Sequence, residues 1–126
     1  MRLSFLMCAA ILTAGPVLAE EMSFEDAKAK ADQVEESLGS GEMSRLVEAQ
    51  GRLAESAFPY CFSRTQKPPP NFTVVVEVDV EGRVTKSWLD KETAFGVCFR
   101  ERMVQGFSFK TESRPFFTSF EYKNAY

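Results

Sequence analysis

The chain has 126 residues, with 15 Lys and Arg side chains against 18 Asp and Glu, and it contains no histidine. A net charge of -3 argues against a nucleic-acid partner, because phosphate binding requires a concentrated basic surface. The lack of histidine removes the commonest general acid-base residue, so a catalytic site would need carboxylates, cysteine, lysine or tyrosine.

The first 19 residues have the layout of a secretory signal peptide. A positive charge at Arg2 precedes an apolar run from Leu3 to Leu12, and a Gly15-Pro16 break follows. This order predicts a signal peptide, residues 1–19, that is cut after Ala19. The alternative is a membrane anchor, but a span needs about 20 uninterrupted apolar residues. The short, compact signal is typical of bacteria, so we expect a periplasmic or secreted protein without a membrane span.

Residues 20–58 predict an amino-terminal helical hairpin. Ser23, with Asp26 three residues on, is a typical start of a helix. The apolar residues that follow recur at steps of three and four until Gly39-Ser40-Gly41 ends the pattern. A second helix is predicted from about Glu42 to Ala57, and the short loop favours an antiparallel pair. The apolar stripe suits either packing on the chain's own domain or a coiled-coil partner, and packing is the simpler interpretation.

The stretch from Phe58 to Pro70 contains Pro59 and three consecutive prolines. Because proline lacks a backbone N–H, we expect neither a helix nor a central strand to continue through this stretch. The triple proline can be a recognition site or a stiff connector, and its position directly before a strand favours a connector. A second, α+β domain is predicted at residues 59–126.

A β-hairpin is predicted over residues 72–90, where valines alternate on both sides of a Glu-Gly pair. A three-residue loop, Val80-Glu81-Gly82, with its glycine in the left-handed conformation, pairs Asp79 with Arg83. The polar residues then face solvent. This register puts the apolar residues on one core face, namely Val74, Val76, Val78, Val84 and Trp88.

A third helix and a last strand complete the chain. Thr93 is a suitable N-cap for a helix that Gly106 ends, and Cys98 lies on its apolar side. The segment from Phe116 to Tyr122 alternates with an aromatic inner face, as a strand does. The order helix, helix, strand, strand, helix, strand predicts an α+β fold, with a small antiparallel sheet and helices on one face.

Two cysteines remain after the predicted cleavage, Cys61 and Cys98. An even pair in an oxidising compartment predicts a disulfide, which would stabilise the domain by about 3 to 4 kcal/mol. A reactive thiol and a metal site are the alternatives. Without histidine the pair lacks the usual zinc ligands, so we predict no metal and no cofactor.

An enzyme would have to use carboxylates such as Glu77 and Asp79, which are two apart on one strand. In the predicted register both face solvent near Arg83, as charged residues on an exposed sheet face commonly do. The sequence has neither a glycine-rich phosphate loop nor a serine nucleophile elbow. We therefore predict a non-enzymatic protein.

Three segments together resemble the carboxy-terminal domain of TonB-like energy transducers: "VVVEVDVEGRVTKSWLD", "CFRERMVQGFSFK" and "RPFFTSFEY". The resemblance covers Pro68 to Lys123. It implies a β-β-α-β unit and also supports the Cys61–Cys98 disulfide, since some relatives carry such a pair. The predicted signal cleavage and the short "PPP" differ from the membrane helix and long spacer of energy transducers, so the resemblance implies a binding mode rather than energy coupling.

That binding mode is strand addition, in which an extended segment of a partner pairs with the edge of the last strand, Arg114 to Tyr122. Phe95, Phe99 and Phe117 lie off the predicted inner faces, and aromatic residues that are exposed together can mark a partner site. The residues expected to bind the partner are Arg114, Phe117, Ser119 and Glu121.

The sequence therefore predicts an exported, non-enzymatic domain that binds an envelope or secreted protein. The alternative is an inhibitor or immunity protein that blocks a periplasmic toxin or a cell-wall hydrolase. Such proteins are small, exported, often acidic and disulfide-bonded, and this chain fits that description.

Overall fold

The computed structural model describes residues 21–65, 67, 69–111 and 116–124. The predicted signal peptide, Pro68 and Arg114 lie outside these ranges. The predicted α+β fold and the order of its elements are confirmed. The elements are α1 (Phe24–Glu36), α2 (Ser40–Thr65), β1 (Phe72–Val78), β2 (Val84–Leu89), α3 (Ala94–Gly106) and β3 (Phe116–Tyr122).

The three strands form one antiparallel sheet in the order β2-β1-β3. β1 is the central strand, and Val74, Val75 and Val76 in it are fully buried. A strand that is buried on both faces has a nearly continuous apolar sequence, which explains the valine run. The outer edges of the sheet are therefore β2 on one side and β3 on the other.

The main core lies between one face of the sheet and the helices α2 and α3. Phe58 of α2 is half-buried and packs against this core, with its ring centroid 5.3 Å from those of Phe99 and Tyr122. The predicted disulfide is confirmed: Cys61 and Cys98 are bonded, with their Cα atoms 5.8 Å apart. The bond joins α2 to α3, so it holds together the two helices that cover this face.

A second, smaller core lies on the opposite face of the sheet, where α1 packs. Ala27 and Ala31 are fully buried there against Val75 and Phe117. The prediction that all helices lie on one face is therefore wrong. Small alanine side chains let the helix approach the sheet closely, and β1 and β3 carry apolar residues on this face that need cover. α1 and α2 thus lie on opposite faces of the sheet, so the prediction that they pack together as an amino-terminal helical hairpin is wrong.

Helix α2 continues eight residues beyond the predicted Ala57, through Pro59 and as far as Thr65. The expectation that no helix persists after Phe58 is therefore wrong, and α2 crosses the predicted domain boundary. Proline in a helix interior costs about 3 kcal/mol. Phe58, which is half-buried, packs against the main core before the proline, and Cys61 is buried after it; these contacts and the disulfide offset that cost.

The predicted turn of the β-hairpin is confirmed. Gly82 has a φ of +90°, in the left-handed region, and Val78 pairs with Val84. The backbone N–H of Asp79 donates to the carbonyl of Arg83 at 2.8 Å. Glycine is needed at this turn because other side chains adopt such a φ only with strain.

Beyond the turn, a β-bulge changes the predicted register. Glu77 pairs with Lys86, so one extra residue, Thr85, is inserted into β2. Because strand side chains alternate between faces, the extra residue moves Trp88 to the face of Val75 and α1. The prediction that Trp88 shares the core face of Val84 is therefore wrong.

Two predicted helix starts are confirmed. The hydroxyl of Ser23 accepts a hydrogen bond from the backbone N–H of Asp26 at 3.1 Å at the start of α1. The hydroxyl of Thr93 accepts one from Gly96 N–H at 3.0 Å at the start of α3. Both residues satisfy a backbone donor that has no partner within its helix.

Candidate functional site

The outer edge of β3, where a partner strand was expected, is occupied in its middle by side chains of the same chain. The backbone N–H of Ser119 donates to Glu35 Oε1 at 3.1 Å, and its carbonyl accepts from Gln50 Nε2 at 3.1 Å. Thr118, which is fully buried, donates to Glu35 at 2.7 Å and accepts from Gln50 at 3.0 Å. Glu35 is in α1 and Gln50 in α2, so the two helices close this edge from both sides.

The aromatic residues expected at the surface are buried. Phe117 is 4% exposed, and its ring lies 6.0 Å from that of Trp88, with Lys30 Nζ 4.8 Å from its centroid. Phe95 and Phe99 are 2% and 0% exposed. The prediction of an exposed aromatic surface is wrong, because α1 covers Phe117 and the rings of Phe95 and Phe99 both turn into the main core.

Glu121, another predicted partner-binding residue, forms an ion pair with Lys28 of α1 at 2.9 Å. Partial desolvation lowers the pKa of Lys28, but hydrogen bonds to Asp32 and Glu121 outweigh it and raise the pKa above its usual value. Arg114 lies outside the described residues. Phe117, Ser119 and Glu121 are thus engaged by α1 or α2, and the structure does not bring them together as an open surface.

The outer edge of β2 is open instead. Val75 pairs with Trp88, and Asp90 N–H donates to the Thr73 carbonyl at 3.2 Å. Along an antiparallel strand the backbone N–H and C=O groups of successive residues point to alternate sides. Because those of Trp88 and Asp90 point toward β1, the backbone groups of Ser87 and Leu89 point away from the sheet. Within the ranges described above, no group hydrogen-bonds to these backbone atoms of Ser87 and Leu89.

The open edge has a defined beginning. At Arg83 the segment after α3 forms an isolated bridge through Ser108, and Phe109 N–H donates to the Gly82 carbonyl at 3.2 Å. This cover ends there, so no other described segment covers the stretch from Thr85 to Leu89. At a rise of about 3.3 Å per residue the stretch is roughly 13 Å long.

A cavity of about 270 Å³ lies beside this edge. Its lining includes Lys86, Ser87 and Trp88 of β2, together with Glu21 and Met22. The Trp88 indole N–H donates to the Met22 carbonyl at 2.7 Å, which holds the segment before α1 against the strand. The cavity is large enough for one side chain of a segment that runs along the edge.

Glu77 and Asp79, the carboxylates considered for catalysis, have separate positions. Asp79 Oδ1 accepts hydrogen bonds from the backbone N–H groups of Glu81 and Arg83, both at 2.9 Å. Its carboxylate therefore shapes the turn, whereas Glu77 lies within the strand opposite Lys86. In the part of the chain that is described, no group of three or more His, Cys, Asp or Glu is placed to hold a metal ion.

No known protein family, curated protein or solved structure matches this chain. Among the residues described here, no helix is long and apolar enough to cross a membrane.

Sequence reasoning missed the β2 edge because the family resemblance pointed to the last strand. A signal was nevertheless present in the sequence. Thr85, Lys86 and Ser87 are three consecutive polar residues with a lysine at their centre, and natural sheets carry such residues, lysine above all, on exposed edges.

Proposed function

We propose that this protein is an exported, non-enzymatic domain that binds an extended segment of an envelope or secreted protein by strand addition. The observation that carries the proposal is the open outer edge of β2 from Thr85 to Leu89, beside the cavity at Ser87. Both faces of the sheet are covered by helices, so its edges are where its backbone can meet a partner.

The compartment is part of the proposal. A disulfide between Cys61 and Cys98 persists in an oxidising environment, and the signal-peptide layout of residues 1–19 suits export to the periplasm. The resemblance of residues 68–123 to TonB-like carboxy-terminal domains suggests the same mode of binding. We place the contact on β2 because Glu35 and Gln50 occupy the middle of β3.

In this binding mode the main chain supplies the affinity and the side chains supply the choice of partner. A partner strand would accept from and donate to the backbone of Ser87 and Leu89. One of its side chains would enter the cavity formed with Met22 and Trp88. The neighbouring Lys86 is exposed and would favour an acidic residue in the partner strand.

The test compares two substitutions at one position. Ser87→Pro removes the outward backbone donor, and proline is tolerated on an edge strand where its nitrogen faces solvent. Ser87→Ala keeps the donor and is the matched control. Wild-type protein and both variants are used to capture proteins from envelope extract, and the captured protein is then purified and its affinity for each is measured.

We expect wild type and Ser87→Ala to bind the purified partner equally and Ser87→Pro to lose binding. Circular dichroism and thermal unfolding confirm that each variant is folded. Equal binding by a folded Ser87→Pro would exclude strand addition at β2, and the absence of any specific partner would contradict the protein-binding function. If the partner is a toxin or a cell-wall hydrolase whose activity the protein blocks, the inhibitor function replaces the adaptor function.

A further inference from the structure

A basic groove runs between α2 and the segment that ends α3 and follows it. Three adjoining depressions form it, the first of about 440 Å³. The first depression shares Arg52 and Ser108 with the second, which lies along α2 beside Glu48. The second shares Arg45 and Lys110 with the third, which lies beside Val80. We call it the arginine groove and define it by Arg45, Arg52, Ser56, Arg102, Ser108 and Lys110.

The cations of the arginine groove are largely unneutralised. Arg52 pairs with Glu48 at 3.3 Å, but both side chains are about two-thirds exposed, and such a pair is weak. Within the described ranges, Arg45, Arg102 and Lys110 make no ion pair with a carboxylate. Among the described residues, four cations and one carboxylate thus line a groove on a chain whose net charge is -3.

Two of these arginines are held by aromatic rings. The Arg102 guanidinium carbon lies 4.2 Å from the centroid of Tyr60, and that of Arg45 lies 5.6 Å from the centroid of Phe109. Stacking of this kind orders the guanidinium while its N–H donors stay available. The groove therefore presents positioned donors and not only a diffuse positive charge.

The length of the groove indicates the size of its ligand. From Arg45 to Ser56 the helix α2 rises by roughly 16 Å, at about 1.5 Å per residue. A single small anion cannot contact cations spread over that distance, whereas an extended peptide of about five residues spans it. The ring of Phe109 is buried beneath Arg45, so among the residues that define the groove none offers an open aromatic platform for a nucleic-acid base.

We infer that the arginine groove binds a short acidic segment, rich in Glu and Asp, of a partner protein. This inference rests on the proposed protein-binding function and adds the chemistry of the partner. Carboxylates of the segment accept hydrogen bonds from Arg52 and Arg102, and the Ser56 and Ser108 hydroxyls border the same groove. The groove shares no lining residue with the cavity beside the β2 edge, so one partner can use both surfaces or either alone.

The experiment measures fluorescence anisotropy of a labelled, end-capped peptide of alternating Glu and Asp with the disulfide-bonded protein. A peptide with Gln and Asn in place of the acids is the ligand control. The variant Arg52→Gln/Arg102→Gln removes two groove charges, and Lys91→Gln/Lys123→Gln removes two exposed charges elsewhere. Inorganic phosphate and a single-stranded oligonucleotide of equal charge are the competitors.

We expect the acidic peptide to bind and the neutral peptide not to bind. The groove variant should lower the affinity for the acidic peptide on the order of tenfold, and the lysine variant should leave that affinity within about twofold of wild type. Thermal unfolding shows that both variants are folded. Equal binding of the neutral peptide, or unchanged binding by the folded groove variant, would overturn the inference. The inference would also be overturned if phosphate or the oligonucleotide displaced the labelled peptide at the concentration at which unlabelled peptide does. Either result would assign the groove to another class of ligand.

The two proposals fail separately. If a partner is captured and binds with measurable affinity but the acidic peptide does not bind, the protein-binding function stands and the acidic-segment inference is wrong. If no partner is found and the acidic peptide does not bind, both are wrong.

Discussion

The carboxylate of Glu35 in α1 accepts a hydrogen bond from the backbone N–H of Ser119 in β3 at 3.1 Å, so a helix side chain occupies the position of a neighbouring strand. Gln50 of α2 donates to the carbonyl of the same residue. Proteins protect exposed strand edges from unintended pairing in several ways, and covering the edge is one of them. One edge of this sheet is closed in this way and the other is open.

Loss of the Glu35 carboxylate should open the β3 edge. In Glu35→Ala the backbone N–H of Ser119 and the O–H of Thr118 lose their acceptor, which we expect to lower the free energy of unfolding by about 1 to 3 kcal/mol. Concentration-dependent association should accompany the loss, as measured by urea unfolding and sedimentation velocity. The control is Glu36→Ala, next in sequence and exposed. Equal behaviour of the two variants would show that the edge needs no such protection.

Gly82 and Gly51 should respond oppositely to alanine. At Gly82 the φ of +90° is strained for alanine, and a Cβ would lie 3.1 Å from Ser108 Oγ, so we expect a loss of about 1 to 3 kcal/mol. At Gly51, in the exposed middle of α2, a Cβ meets nothing within 4 Å. Alanine there should stabilise by roughly 0.5 to 1 kcal/mol. Chemical unfolding measures both, and a stabilising Gly82→Ala would contradict the turn geometry.

The disulfide should account for a large part of the stability. Replacing both cysteines, as Cys61→Ser/Cys98→Ser, is expected to lower the free energy of unfolding by about 3 to 4 kcal/mol, because the bond restricts the unfolded chain. Reduced wild-type protein should unfold like the double variant. Mass spectrometry of alkylated protein is the check on the bond itself. Alkylation of both thiols without reductant would contradict it.

The ion pairs of Lys28 predict a stability change at high pH. Its pKa is raised in the folded state, so its contribution is complete below the unfolded value, about 10.4, and is lost as the pH rises through the folded value. The stability difference between wild type and Lys28→Met should be on the order of 0.5 kcal/mol at pH 8 and approach zero in strong alkali. A Lys28 difference that grew with pH would have the wrong sign.

The local features of this fold could be predicted where a few neighbouring residues decide them. The helix starts at Ser23 and Thr93 and the left-handed turn at Gly82 depend on one side chain or one φ angle. The disulfide followed from the even number of cysteines and the expected compartment. These predictions required no knowledge of tertiary packing.

The features that determine the candidate site depended on distant contacts. The bulge at Thr85 moves Trp88 to the other face, and no residue of the hairpin marks it unambiguously. Helix α2 continues through Pro59 because the core and the disulfide hold its last turns. The position of α1 on the second face is decided by Phe117, far along the chain. The hydrogen bonds of Glu35 and Gln50 that close the β3 edge likewise join residues more than 60 positions apart in the chain.

The central claim is that a partner strand pairs with β2. The most direct measurement is amide hydrogen exchange, residue by residue, of the protein alone and in complex with its purified partner. We expect the amides of Ser87 and Leu89 to exchange rapidly in the free protein and to become protected in the complex, with little change at Ser119, which Glu35 already engages. Unchanged exchange at Ser87 and Leu89, with new protection along β3, would contradict it.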